Sequence, residues 1–166
     1  MSANGVTEQS GVIPRSVHTI FDHLAEGKYE DFSVKVSMLE LYNEELSDLL
    51  IEQEERTTST MGKTPDESER KELRIFEDPT GKKGMLVQGL EEVPVTSATE
   101  VFALLQKANK NRKVAETNLN ARSSRSHYVF SIVVHTKEYN EDGEDIIKTG
   151  KLYLVDCKSK NNTSHE

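Results

Sequence analysis

Residues Asn120 to Val134 read Asn-Ala-Arg-Ser-Ser-Arg-Ser-His, then Tyr-Val-Phe-Ser-Ile-Val-Val. The first half crowds the hydroxyls of Ser123, Ser124 and Ser126, the guanidinium groups of Arg122 and Arg125 and the imidazole of His127 into one short stretch. In the second half Tyr128, Phe130, Ile132 and Val134 alternate with other residues, the period-two signature of a strand buried on one face. A polar loop therefore feeds a strand. Hydroxyls ligate hard cations such as Mg²⁺ or hydrogen-bond to phosphate oxygen, and arginine offers a planar fork to phosphate or carboxylate. The plain alternative is a solvated connection, with His127 an ordinary histidine satisfied where the strand begins.

Working outward, the charge balance between Lys107 and His127 is reversed relative to the rest of the chain. Lys107, Lys110, Arg112, Lys113, Arg122 and Arg125 face only Glu116. A phosphate or an acidic partner belongs here. Upstream, Ser97 and Glu100 form a capping-box pattern before Val101, Leu104, Leu105 and Ala108, which predicts a helix. Downstream, Glu141-Asp142-Gly143 predicts a turn, and the apolar run Gly150 to Val155 predicts the hairpin partner of the strand from Tyr128. Nothing after Asp156 has anything to bury.

Nearer the start, Pro14 precedes Val17, Ile20, Phe21 and Leu24, a helical stripe with proline tolerated in the first turn and Gly27 ending it. Phe32, Val34, Val36 and Met38 alternate as a strand, and Leu39 and Leu41 break the phase through either a bulge or burial on both faces. From Glu52 to Glu72 there are seven acids and four bases, with Met61 the only large apolar residue. Such a stretch cannot offset its ordering entropy by burial and reads as a mobile surface loop. Leu73, Ile75 and Phe76 predict a short strand, Asp78-Pro79-Thr80-Gly81 a solvated turn, and Gly84 to Val95 a further strand pair.

The 166 residues suit one domain. A net charge of −8 argues against bulk attachment to nucleic acid or an anionic membrane. The single cysteine, Cys157, excludes an internal disulfide framework and a multi-thiolate metal site. No apolar run reaches the ~20 residues of a membrane span, and Met1 to Gly11 lacks a signal-peptide profile, so the expectation is a soluble intracellular protein. Gly62-Lys63-Thr64 does not make a phosphate loop, because Thr57 stands where the pattern needs glycine and no strand precedes it. Ser124 and His127 lack the Gly-x-Ser-x-Gly elbow of a hydrolase. Asn161-Asn162-Thr163 fits the glycosylation pattern but has no secretory context.

The eight residues from Asn120 to His127 resemble the switch I motif of kinesin motor domains, Asn-x-x-Ser-Ser-Arg-Ser-His, at every fixed position. Gly11-Val12-Ile13-Pro14-Arg15, Leu41-Tyr42-Asn43-Glu44-Glu45 with Asp48-Leu49-Leu50, Gly89-Leu90-Glu91-Glu92 and Lys151-Leu152-Tyr153-Leu154-Val155-Asp156 also resemble the family in order and spacing, most closely its bipolar mitotic members. The resemblance implies an α/β fold, a fragment of the kinesin-type P-loop NTPase with a mixed, mainly parallel sheet and flanking helices. Residues 1–10 would be a polar N-terminal segment, 11–156 a partial motor domain with a disordered acidic loop at 52–72, and 157–166 a polar tail. It further implies ATP and Mg²⁺ as cofactors, microtubules as partner, a parent protein made oligomeric by a stalk, and a place in the cytoplasm, on the cytoskeleton and mitotic spindle.

Carried over by position, Asn120, Ser123 and Ser124 would meet nucleotide, Ser124 and Asp156 would serve the metal, and Arg125 would pair with a switch II glutamate to latch the closed state. Ser123, Ser124 and Arg125 would thus carry the phosphoryl-transfer chemistry, which is positioning and charge stabilisation. Lys82 and Lys83 would touch the acidic tubulin surface. Two departures bear on activity. The family's Gly-x-x-x-x-Gly-Lys-Thr/Ser loop does not occur in the chain, and where switch II reads Asp-Leu-Ala-Gly-Ser-Glu this sequence has Asp156-Cys157-Lys158-Ser159-Lys160-Asn161. The expectation is a partial motor domain that is catalytically inactive by itself, from a truncated transcript or gene model. The alternative is a non-catalytic microtubule-binding or regulatory fragment.

Overall fold

The computed structural model describes residues 10–51, 73–79, 85–117 and 126–157. Residues 1–9, the acidic stretch 52–72 and the tail from 158 lie outside them. Among the described residues nine elements follow in chain order: α1 (Val12–Leu24), β1 (Asp31–Tyr42), β2 (Glu45–Asp48), β3 (Arg74–Glu77), β4 (Met85–Gln88), β5 (Val93–Val95), α2 (Ala98–Thr117), β6 (Ser126–Tyr139) and β7 (Asp145–Asp156). One sheet has the order β2-β1-β6-β7 with β5 also paired to β1, and β3 and β4 form a separate two-stranded ribbon.

Every pairing with a defined register is antiparallel: β1 with β2, β1 with β5, and β3 with β4. The family resemblance pointed to mainly parallel strands. Short connections explain the difference, since a parallel crossover needs a dozen or more residues and β1 reaches β2 through two. The five residues between β6 and β7 likewise allow only a hairpin. That loop is organised by Asn140, whose Oδ1 accepts from the backbone N–H groups of Asp142 and Glu144 at 3.0 and 2.7 Å, while Gly143 supplies a φ of 79°.

The contacts divide the chain into two compact units. In the first, comprising residues up to Val36 with 92–106 and 130–154, the core is Val17, Leu24, Val34, Val36, Val95, Val101, Phe130 and Ile132. Helix α1 contributes Val17 and Leu24 from its stripe, begins after an extended Gly11 and holds Pro14 within its first turn. The first half of α2 belongs here too. Ser97 Oγ accepts from the Glu100 N–H at 3.3 Å, and the Glu100 carboxylate receives the Thr96 N–H at 2.7 Å and its hydroxyl at 2.9 Å. The reciprocal half of the capping box thus lands one residue before the cap. These bonds hold the Glu100 carboxyl below its ordinary range.

The second unit, residues 37–91, 107–129 and 155 onward, buries Met38, Leu39, Leu49, Leu50 and Ala108. Burial runs unbroken from Val36 to Glu40, so the phase break at Leu39 reflects cover on both faces; the registers beside it carry no bulge. The hairpin into β2 was not foreseen as a strand pair. Its two turn residues, Asn43 and Glu44, have φ of 49° and 67°, the primed-turn conformation for which asparagine is well suited and glutamate is not. One sequence expectation needs correcting: Asp78 is buried rather than part of a solvated turn. Helix α2, foreseen from its capping box, runs on to Thr117.

Candidate functional site

Strand β6 begins with the last two residues of the Asn120–His127 string, Ser126 and His127. Ser126, its first residue, is 2 % exposed, and its Oγ has no hydrogen-bond partner among the described residues. The buried Nδ1 of His127 likewise has no hydrogen-bond partner among the described residues. Buried polar atoms are nearly always paired, so two adjacent unpartnered atoms at one strand end single this place out among the described residues. The next residue, Tyr128, is anchored: its hydroxyl donates to Met38 Sδ at 3.3 Å, and burial pushes its pKa up to about 12 against the opposing pull of the Arg112 charge.

Because β6 and β7 form a hairpin, the start of one and the end of the other share an end of the ladder. Asp156, the last residue of β7, therefore lies at the same end as Ser126 and His127, with its side chain exposed. Asn120, Ser123, Ser124 and Arg125 fall outside the described residues, as do Lys82 and Lys83. The described hydroxyl, imidazole and carboxylate suit hydrogen bonding to phosphate oxygen or to its water. They do not amount to a cation site: among the described residues no three His, Cys, Asp or Glu groups converge, and one carboxylate does not supply the octahedral oxygen shell of Mg²⁺.

The first part of the basic run is helical. Lys107, Lys110 and Arg112 lie on the second half of α2, with Lys110 exposed and Lys107 and Arg112 half-buried. Between them, Asn111 does structural work that sequence reading missed. Its Nδ2 donates to the Leu49 carbonyl at 2.8 Å and to the Ile51 carbonyl at 3.3 Å. Asp48 was missed as well. Its Oδ1 accepts from the Leu50 N–H and its Oδ2 from the Glu91 N–H, both at 2.8 Å. Burial raises the Asp48 pKa above its ordinary value, and those backbone donors only partly oppose it. A signal was available for Asn111, since asparagine is a poor helix-interior residue whose side chain readily bonds backbone groups.

A family model described as the kinesin motor domain matches residues 1–166. The chain is 49% identical over 160 residues to Kinesin-like protein KIN-5C of Arabidopsis thaliana, covering 96% of this chain and 15% of that protein. It is 48% identical over 153 residues to Kinesin-like protein KIF11 of Xenopus tropicalis, covering 92% and 13%. The solved structure of a fast kinesin superposes with a TM-score of 0.71 at 32% identity, over 94% of this chain and 39% of that one. The chain thus spans under a sixth of the length of these curated relatives. With the α/β architecture and the motif-bearing sequence before β6 already in place, the chain belongs to the kinesin motor-domain family.

Proposed function

We propose that this chain is a segment of a mitotic, microtubule-directed motor, and that the loop preceding β6 is its nucleotide-sensing switch. On this reading residues 11–156 are motor-domain sequence, flanked by polar segments 1–10 and 157–166 and interrupted by the acidic loop 52–72. Asn120 and Ser123 meet the nucleotide phosphates, Ser124 and Asp156 serve Mg²⁺, and Arg125 holds the closed state. Lys82 and Lys83 add weak, salt-screened contacts to tubulin. Bound ATP would supply the phosphoryl group whose loss the switch detects. The observation that carries the reading is the pair of orphaned buried atoms, Ser126 Oγ and His127 Nδ1, adjoining the Asn120–Arg125 motif at the same ladder end as Asp156.

In P-loop enzymes the phosphates are held chiefly by backbone amides at a helix N-terminus and by a lysine. No such loop occurs in these 166 residues. This chain by itself is therefore inactive, and its switch is tested best inside a complete motor. Residues 11–156 are exchanged for the corresponding segment of a kinesin with measurable microtubule-stimulated ATPase, which supplies its own phosphate loop and switch II. The chimera is expected to retain that activity, and Ser124→Ala within it to remove most of it while microtubule co-sedimentation without nucleotide persists. An active chimera indifferent to Ser124→Ala would refute the switch assignment.

A further inference from the structure

Eight residues separate the end of α2 at Thr117 from the start of β6 at Ser126, and the string Asn120–Arg125 falls among them. Both flanks of that span are tied to one short segment of the second unit, residues 49–51 after β2. From the α2 side, the amide of Asn111 spends its donors on the Leu49 carbonyl at 2.8 Å and the Ile51 carbonyl at 3.3 Å. From the β1 side, the Leu49 N–H donates to the Met38 carbonyl at 3.0 Å. Met38 is also the residue whose Sδ accepts from the hydroxyl of Tyr128, the third residue of β6. Asp48 adds a further tie by accepting the Leu50 N–H at 2.8 Å. Met38, Leu49 and Leu50 are all buried, so residues 49–51 form a platform held by packing as well as by hydrogen bonds.

For the helix alone, asparagine at position 111 is a poor choice, since it lowers intrinsic helicity relative to alanine. From Lys107 to Arg112 the helix buries a single apolar side chain, Ala108. A helical half with so little buried apolar surface opens at low cost unless contacts from elsewhere in the fold secure it. We infer that Asn111 is a positioning residue for the switch, an assignment that rests on the switch reading proposed above. It fastens the second half of α2 to the platform that also carries Tyr128, and so fixes both ends of the span bearing Ser123, Ser124 and Arg125. Pinning the two ends of a short connection reduces its conformational freedom before any ligand arrives, which favours a switch that works by positioning. Asn111 itself touches neither nucleotide nor metal; it acts through the string it holds.

Two measurements test this, one on the chain and one in the chimera carrying residues 11–156. In the chain, spin labels on the exposed native Cys157, just past β7, and on Lys110→Cys, exposed on α2, report how firmly that half of the helix is held. One narrow distance distribution is expected, and Asn111→Ala should broaden it. In the chimera, Asn111→Ala is expected to lower kcat of the microtubule-stimulated ATPase by ~3- to 10-fold. KM for ATP and co-sedimentation without nucleotide should stay unchanged, because the host's phosphate loop still holds the phosphates. Asn111→Asp, which lacks the donor hydrogens, should match that loss, and Asn111→Gln, which keeps them, should recover most of it. Tyr128→Phe acts in the same direction, and its loss combined with Asn111→Ala falls short of the product, since both act through one platform. A variant that only melts earlier, with kcat per folded motor unchanged, overturns the proposal, as does a distance distribution indifferent to Asn111→Ala. A chimera impaired by Ser124→Ala but by neither Asn111→Ala nor Asn111→Asp removes the positioning role and leaves the switch in place; one indifferent to Ser124→Ala removes both.

Discussion

Two polar-rich corners of the molecule are held in different ways. Around the end of β2, Asp48 and Asn111 spend their side chains on the main chain, accepting from the N–H groups of Leu50 and Glu91 and donating to the carbonyls of Leu49 and Ile51. Beside them Leu49 and Leu50 are buried. Along the β6–β7 hairpin, by contrast, side chains pair with each other in water: Lys137 with Asp145 at 3.0 Å, and Lys148 with Glu138. The first kind of contact removes otherwise unpaired backbone groups from a partly buried place. The second replaces good hydration with a screened attraction and immobilises two long side chains. Stability at the β2 corner should therefore depend on single residues, and stability along the hairpin should not.

The sharpest break of that comparison is Asp48→Ala, which leaves two backbone donors unpaired and is expected to cost about 2 kcal/mol in urea denaturation, with Asp48→Asn, retaining one acceptor, near half of it. A loss no larger than that from a surface lysine would erase the contrast. The same residue gives a pH signature. Because burial raises the folded-state pKa of Asp48, its carboxyl favours the fold fully below its ordinary value of 3.8, and that contribution is lost as pH rises through the folded value. The stability of the wild-type chain relative to Asp48→Asn should accordingly decline from acid toward neutrality. Asn111→Ala comes next, at about 1 kcal/mol, because two carbonyls lose a donor but the bond to Ile51, at 3.3 Å, is the longer and weaker of the two.

How far these corners were legible from sequence follows the same division. The helix from Val12, the strands through Val36 and Phe130, and the Gly143 turn announce themselves through apolar period and glycine, which are local signals. Hairpin β1–β2 did not, because its turn uses Asn43-Glu44 in place of the usual Asn-Gly and glutamate at positive φ has no local preference to read. The second half of α2 carries a weak local signal for a related reason: from Lys107 to Arg112 the sequence offers Ala108 as its one apolar residue, too little for a helical stripe. Asp48 and Asn111 make contacts to residues distant in sequence, Glu91 for one and Leu49 for the other, which no window of periodicity captures. Of the candidate site, the string Asn120–His127 was readable by resemblance. The orphaned state of Ser126 and His127 emerged only from the burial of β6.

Smaller effects sharpen the comparison from its other side. A spectrophotometric titration of the wild-type chain minus Tyr128→Phe should isolate a phenol ionising near about 12. A raised tyrosine pKa means the folded state is favoured below the ordinary value of 10.0, and the contribution fades as pH climbs through the folded one. An ordinary titration at Tyr128 would mean that its contact with Met38 opens readily in solution. The smallest effect belongs to the hairpin: Lys148→Met is expected to leave the urea midpoint unchanged in low or high salt, despite the ion pair with Glu138.

The functional account turns on whether switch residues alone can hold a nucleotide. Titrating a fluorescent ATP analogue with Mg²⁺ into the purified chain, beside Ser124→Ala, addresses this most directly. The account predicts no saturable binding at micromolar concentrations for either protein, because Asn120, Ser123 and Ser124 discriminate phosphates that something else must hold. Saturable micromolar binding that Ser124→Ala weakens would contradict it, and would make this segment a nucleotide site in its own right.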